Sequence, residues 1–106
     1  MPNYIIAYLG EANKPNSPQE GKAQMGKWQS WVAGLGDAVI NPGSPMGKSN
    51  IVSAKGVSSD DKPNRMTGFS VVKADNFEIA LEMAQACPYV EFGGTLQVAE
   101  LIEMKH

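Results

Sequence analysis

Apolar residues along the chain fall into stretches with two different periods, and the difference separates strands from helices. Residues 4–9 read Tyr-Ile-Ile-Ala-Tyr-Leu, aromatic and β-branched on both alternating faces. That pattern predicts a strand covered on both sides and therefore central in a sheet. A polar, proline-containing loop over residues 11–16 follows. Ser17-Pro18-Gln19-Glu20 then joins a capping serine, a proline suited to the first helical position and a glutamate placed to close a capping box. Met25, Trp28, Val32 and Leu35 recur at intervals of three and four, which puts them on one helical stripe facing a core. Gly36 is placed to end that helix in the left-handed conformation.

Between residues 41 and 68 the chain is interrupted by Pro42, Gly43, Pro45, Gly47, Gly56, Pro63 and Gly68. This punctuation leaves room for short strands only, at 38–40 and 50–54, and predicts an exposed, mobile loop over 58–65. Residues 68–74 form the next strand. Asp75-Asn76-Phe77-Glu78 repeats the capping logic with Asp75 at the cap, and Phe77, Ala80, Leu81 and Ala84 make the apolar stripe of a second helix. Pro88 stops that helix near Cys87, because the residue before a proline disfavours helical geometry. Gly93-Gly94 turns the chain into a last strand over 95–104. There Leu96, Val98, Ile102 and Met104 alternate with Gln97, Ala99 and Glu103.

The order of elements predicts an α+β domain over residues 1–106, a split βαβ arrangement with both helices on one face of an antiparallel sheet. The first strand is apolar on both sides, and a chain of 106 residues has no third helix to cover the second face. A homodimer packing sheet against sheet is the expected solution.

Charge narrows the partners. Nine basic and 11 acidic side chains give a net charge of −2, without the basic footprint of a nucleic-acid or anionic-membrane binder. Hydrophobic residues at 42% and charged residues at 19% argue against disorder, and one cysteine forms neither an internal disulfide nor a thiolate metal cluster. No signal-length apolar stretch opens the chain, so cytoplasmic residence is expected.

Few residues offer chemistry. Gly43-Ser44-Pro45-Met46-Gly47-Lys48-Ser49 suggests a phosphate loop, but three residues separate its glycines where four are required, and it reads as a turn. Gly34-Leu35-Gly36 follows a helix rather than a strand, which excludes a dinucleotide fingerprint. His106, the sole histidine, is the last residue, so neither a metal site nor a histidine-based triad is expected, and no cofactor is implied. Cys87 at a helix carboxyl end sits in a negative dipole field, which favours a buried packing role over a nucleophilic thiolate. Trp28 and Trp31 line either the core or a ligand pocket. Arg65 either pairs with an anionic ligand or is a solvated charge, and Asp60, Asp61 and Lys62 read as solvation.

The helix bearing Met25, Trp28 and Trp31, the strand opening Gly68-Phe69, the helix from Phe77 to Cys87-Pro88 and the segment Gly93-Gly94-Thr95-Leu96-Gln97-Val98 together resemble the YCII-related family, particularly its DGPF-type members. The resemblance implies a ferredoxin-like subunit of a dimeric α/β barrel. Some relatives carry a histidine on the first helix and an aspartate before the proline ending the second. Met25 and Cys87 stand at those positions here, so proton-transfer chemistry is not implied. The DGPF pattern would fall near residues 60–64, where only an acidic residue and Pro63 match. The leading expectation is a homodimer binding a small, partly apolar molecule near Met25, Trp28, Trp31, Cys87 and Arg65. Its alternatives are a lyase-like or oxygenase-like enzyme acting on aromatic compounds and an accessory protein-interaction module.

Overall fold

The computed structural model describes residues 1–10, 16–60 and 62–102. Strand β1 (Asn3–Leu9) lies between β5 (Met66–Lys73) and β6 (Thr95–Leu101), and β2 (Val39–Pro45) forms an edge beyond β5. The order β2-β5-β1-β6, antiparallel throughout, is the ferredoxin-like arrangement, and the central position of β1 follows from its two apolar faces. Directly paired residues share a face. Tyr4 pairs with Val72, and Ile6 pairs with Ser70 and Val98. Tyr4, Ile6, Val72 and Ala74 form the buried core with Ala80 and Ala84.

Helix α1 (Pro18–Leu35) begins as its sequence requires: the Glu20 amide donates to Ser17 Oγ at 3.1 Å, and Pro18 occupies the first turn. The Glu20 carboxylate accepts from the Asn16 amide at 3.2 Å, one residue upstream of the expected capping-box partner. Gly36 has the expected positive φ of 57°, but its ψ of −129° lies outside the left-handed helical well and leads into a short 3-10 turn. The expected stripe does not face a core along its whole length. Trp31 and Leu35 pack against it, whereas Met25 is 55% exposed. The amino-terminal half of α1 stands over Gly43 and Gly68, which supply no side chains to fill the space below.

Helix α2 (Phe77–Gln85) is capped by Asn76 rather than Asp75, its side-chain oxygen accepting from the Ile79 amide at 2.9 Å. Ile79, Ala80, Met83 and Ala84 face the core, so of the expected stripe Ala80 and Ala84 are buried while Phe77 and Leu81 are exposed. A further short helix, α3 (Pro88–Glu91), follows Cys87 at once, because Pro88 suits a first helical turn as well as it ends the preceding helix. A side chain at Gly94 would strike the Tyr89 ring, so glycine there lets that tyrosine pack inward.

The middle of the chain departs most from expectation. β2 runs through Pro42 and Pro45 instead of ending at residue 40, and residues 43–45 are strand rather than turn. An edge strand tolerates prolines because its outward amides need no partner, and register shifts on either side of Asn41 accommodate them. β3 (Asn50–Ser53) and β4 (Gly56–Ser59) form a separate, exposed hairpin, so Ser58 and Ser59 belong to a strand rather than a loop. Asp60 does more than solvate: it accepts from Ser49 Oγ at 2.9 Å and ties the hairpin's base. β6 stops at Leu101, whose partner Asn3 is the first residue of β1. Ile102 is exposed beyond it, and Met104, Asp61 and His106 lie outside the described residues.

Candidate functional site

Under the amino-terminal half of α1 lies an open cavity of about 500 Å³. Gln24, Met25 and Trp28 form its roof, Tyr8, Gly43, Pro45, Thr67 and Gly68 its floor and side, and Tyr89 its end. Two glycines make it possible. A Cβ at Gly43 would sit 3.0 Å from the Trp28 ring, and one at Gly68 would sit 3.1 Å from the Ser44 carbonyl oxygen. The irregularity in β2 is held locally, with the Asn41 side chain accepting from the Gly43 amide at 2.9 Å and donating to Ser44 Oγ at 3.0 Å. It also turns the Pro42 carbonyl inward, as bulges re-aim groups on a strand.

Below the floor, Ser70 Oγ donates to the Pro42 carbonyl at 2.8 Å and lies 2.6 Å from the Tyr8 hydroxyl. The Tyr8 and Tyr89 rings meet edge to face with centroids 5.1 Å apart. The Tyr89 hydroxyl donates to the Gly10 carbonyl at 2.8 Å, and Thr67 Oγ1 donates to the same oxygen at 2.9 Å. Those contacts fix the end of β1, where Gly10 has φ +64° and a Cβ would lie 2.6 Å from the Pro63 carbonyl oxygen. Lys27 on α1 pairs with Glu91 on α3 at 2.6 Å, an exposed ion pair of small energetic weight.

The residues singled out from sequence separate here. Met25 and Trp28 line the cavity. Trp31 faces the core, its indole donating to the Met83 carbonyl at 2.9 Å and linking the two long helices. Cys87 is buried behind Tyr8 rather than lining the space. Arg65 stands away from it, its backbone carbonyl accepting from the Gly10 amide at 2.7 Å. Tyr8, Ser70 and Tyr89 were not singled out. Ser70 had a signal, a lone hydroxyl within the apolar strand Phe69-Ser70-Val71-Val72.

Electrostatically the cavity is neutral. No lysine, arginine, aspartate or glutamate lines it among the described residues, and those residues hold no group of acidic, cysteine and histidine side chains that could bind a metal. Burial raises the Tyr8 phenol above its usual value, opposed by hydrogen bonding to Ser70 and Trp28. Burial likewise raises the Cys87 thiol. Among the described residues no helix is long and apolar enough to cross a membrane.

No protein-family model and no curated protein matches the chain. Among solved structures, it is similar to 5-chloro-2-hydroxyhydroquinone dehydrochlorinase from Burkholderia phenoliruptrix in complex with 2,5-dihydroxybenzoquinone. The TM-score is 0.54 over 98% of this chain and 94% of that one, at 16% identity. The likeness shows the fold. The chain has that α+β fold, a four-stranded antiparallel sheet with helices.

Because the fold favours the protonated forms of Tyr8 and Cys87, their contribution to stability is complete below the ordinary values and is lost as pH rises through the folded ones. Urea unfolding is therefore expected to show stability falling above the ordinary thiol value of 9.0 and further above the phenol value of 10.0. Tyr8→Phe and Cys87→Ala should each flatten that decline. An unchanged slope in both variants would contradict the assignment.

Proposed function

We propose that the chain is a YCII-related protein that forms a homodimer and binds a small, partly apolar aromatic molecule in the cavity beneath α1. The cavity carries this reading. Its volume of about 500 Å³ lies within the range of small-molecule sites, and it is walled by Trp28, Met25 and two tyrosines with few polar groups. The similar dehydrochlorinase, whose complex holds a quinone, supports an aromatic occupant. The homodimer rests on the second sheet face. Ile5, Phe69, Val71 and Ala99 lie on the side opposite the core cluster, bordered by Gln97 and Lys73, and an apolar patch of this kind calls for a covering surface.

A lyase-like activity is the second reading, favoured by that same structural neighbour. Elimination needs a group that takes a proton. Tyr8 and Cys87 are held protonated by burial, and the Tyr89 hydroxyl is engaged with backbone carbonyls. Binding is therefore the better supported of the two.

Calorimetric titration with hydroquinone is expected to show saturable binding that weakens at least about tenfold in Trp28→Ala, the loss of one large aromatic wall. Absence of binding, or affinity unaltered in Trp28→Ala, would overturn the assignment. Release of a modified hydroquinone on prolonged incubation would favour the enzyme. Sedimentation of the native chain should give twice its 11.4 kDa mass, and a lone chain at micromolar concentration would remove the dimer.

A further inference from the structure

The hydrogen-bond chain under the cavity has a fixed direction, and the direction sets what the cavity recognises. A carbonyl oxygen only accepts, so the 2.8 Å contact between Ser70 and Pro42 uses the single proton of the serine hydroxyl. Ser70 Oγ can then meet Tyr8 only as an acceptor, and the 2.6 Å contact uses the single proton of the phenol. The Tyr8 oxygen is left with lone pairs and nothing to donate. The Trp28 indole N–H, hydrogen-bonded to the phenol, takes one of them, and the Cys87 thiol beside it is only a weak donor, so one lone pair remains for a ligand. Tyr8 is half-buried and contributes to the wall of the cavity.

We propose that Tyr8 is a specificity-determining acceptor that makes the cavity select neutral aromatic molecules bearing a hydroxyl donor over isosteres that can only accept or are wholly apolar. This rests on the reading of the cavity as a ligand site and adds the chemical class of the occupant. A ligand hydroxyl donates to the Tyr8 oxygen. An ether, a carbonyl or a carboxylate brings a lone pair against a lone pair, and no charged side chain among the described lining residues offsets a carboxylate. Burial also holds Tyr8 in its neutral form, so the proton stays on the path toward Ser70 and Pro42. Ser70 is a positioning residue that acts through Tyr8.

The test uses three probes of nearly common shape, 4-methylphenol, p-xylene and 4-methylanisole, titrated by ligand-observed NMR into the native protein, Tyr8→Phe and Ser70→Ala. The preference for 4-methylphenol over p-xylene should fall about tenfold in Tyr8→Phe, the size of one buried hydrogen bond with its desolvation penalty. In Ser70→Ala the Tyr8 proton is freed to face the cavity, so binding of 4-methylanisole should strengthen relative to p-xylene. A merely structural role for Ser70 would weaken all three probes together. Binding of the probes with the same preferences in all three proteins overturns the acceptor role and leaves the cavity as a ligand site. Failure of every probe to bind the native protein overturns both. If Tyr8→Phe does not fold, Ser70→Ala alone decides, since an unchanged 4-methylanisole to p-xylene ratio there contradicts the fixed direction.

Discussion

The hydrogen bond from Ser70 to the Pro42 carbonyl is the contact on which the site depends. A hydroxyl that is 1% exposed must find a partner inside the protein, and an unmet one would cost about 1–3 kcal/mol. Meeting it requires the edge strand to turn a carbonyl inward, and the shifted register of β2 around Asn41 does so. The same irregularity places Gly43 under Trp28 and leaves the space above the floor unfilled. The polar contact between two strands, the hollow beneath the helix and the orientation of Tyr8 are thus one arrangement.

Much of the architecture was legible because it depends on local signals. The two-faced strand at residues 4–9, the Ser17-Pro18 cap and the Pro88 stop each specify their element through near neighbours in sequence. The misreadings share one cause. Whether Pro42 ends a strand depends on whether that strand is an edge, and whether Asp75 or Asn76 caps α2 depends on which face must meet the core. Both are decided by residues distant in the chain. The site divides in the same way. Spacing puts Trp28 rather than Trp31 on the core-facing stripe, and the structure reverses them: the Met83 carbonyl on the other helix holds Trp31 against the core, and Trp28 lines the cavity. Tyr8 was read simply as part of an apolar strand, although its hydroxyl reaches Ser70, 62 positions away.

The two faces of the sheet carry separate tasks in the proposed account. The helices and the cavity occupy one, and the apolar residues around Ile5 and Val71 occupy the other. Assembly through the second face would leave ligand entry unobstructed. The cavity also explains why Met25 remains 55% exposed on a helix whose carboxyl half is packed: the apolar stripe continues past the core and becomes a wall.

The central claim, that a small aromatic molecule occupies the space under Trp28, is tested most directly by following the two indole N–H resonances during a titration with 4-methylphenol. Trp31 serves as an internal reference, since its N–H is committed to the Met83 carbonyl at 2.9 Å. The account predicts a saturable shift of the Trp28 signal while the Trp31 signal stays in place. Movement of Trp31 with Trp28 fixed, equal movement of both, or no movement of either would contradict it.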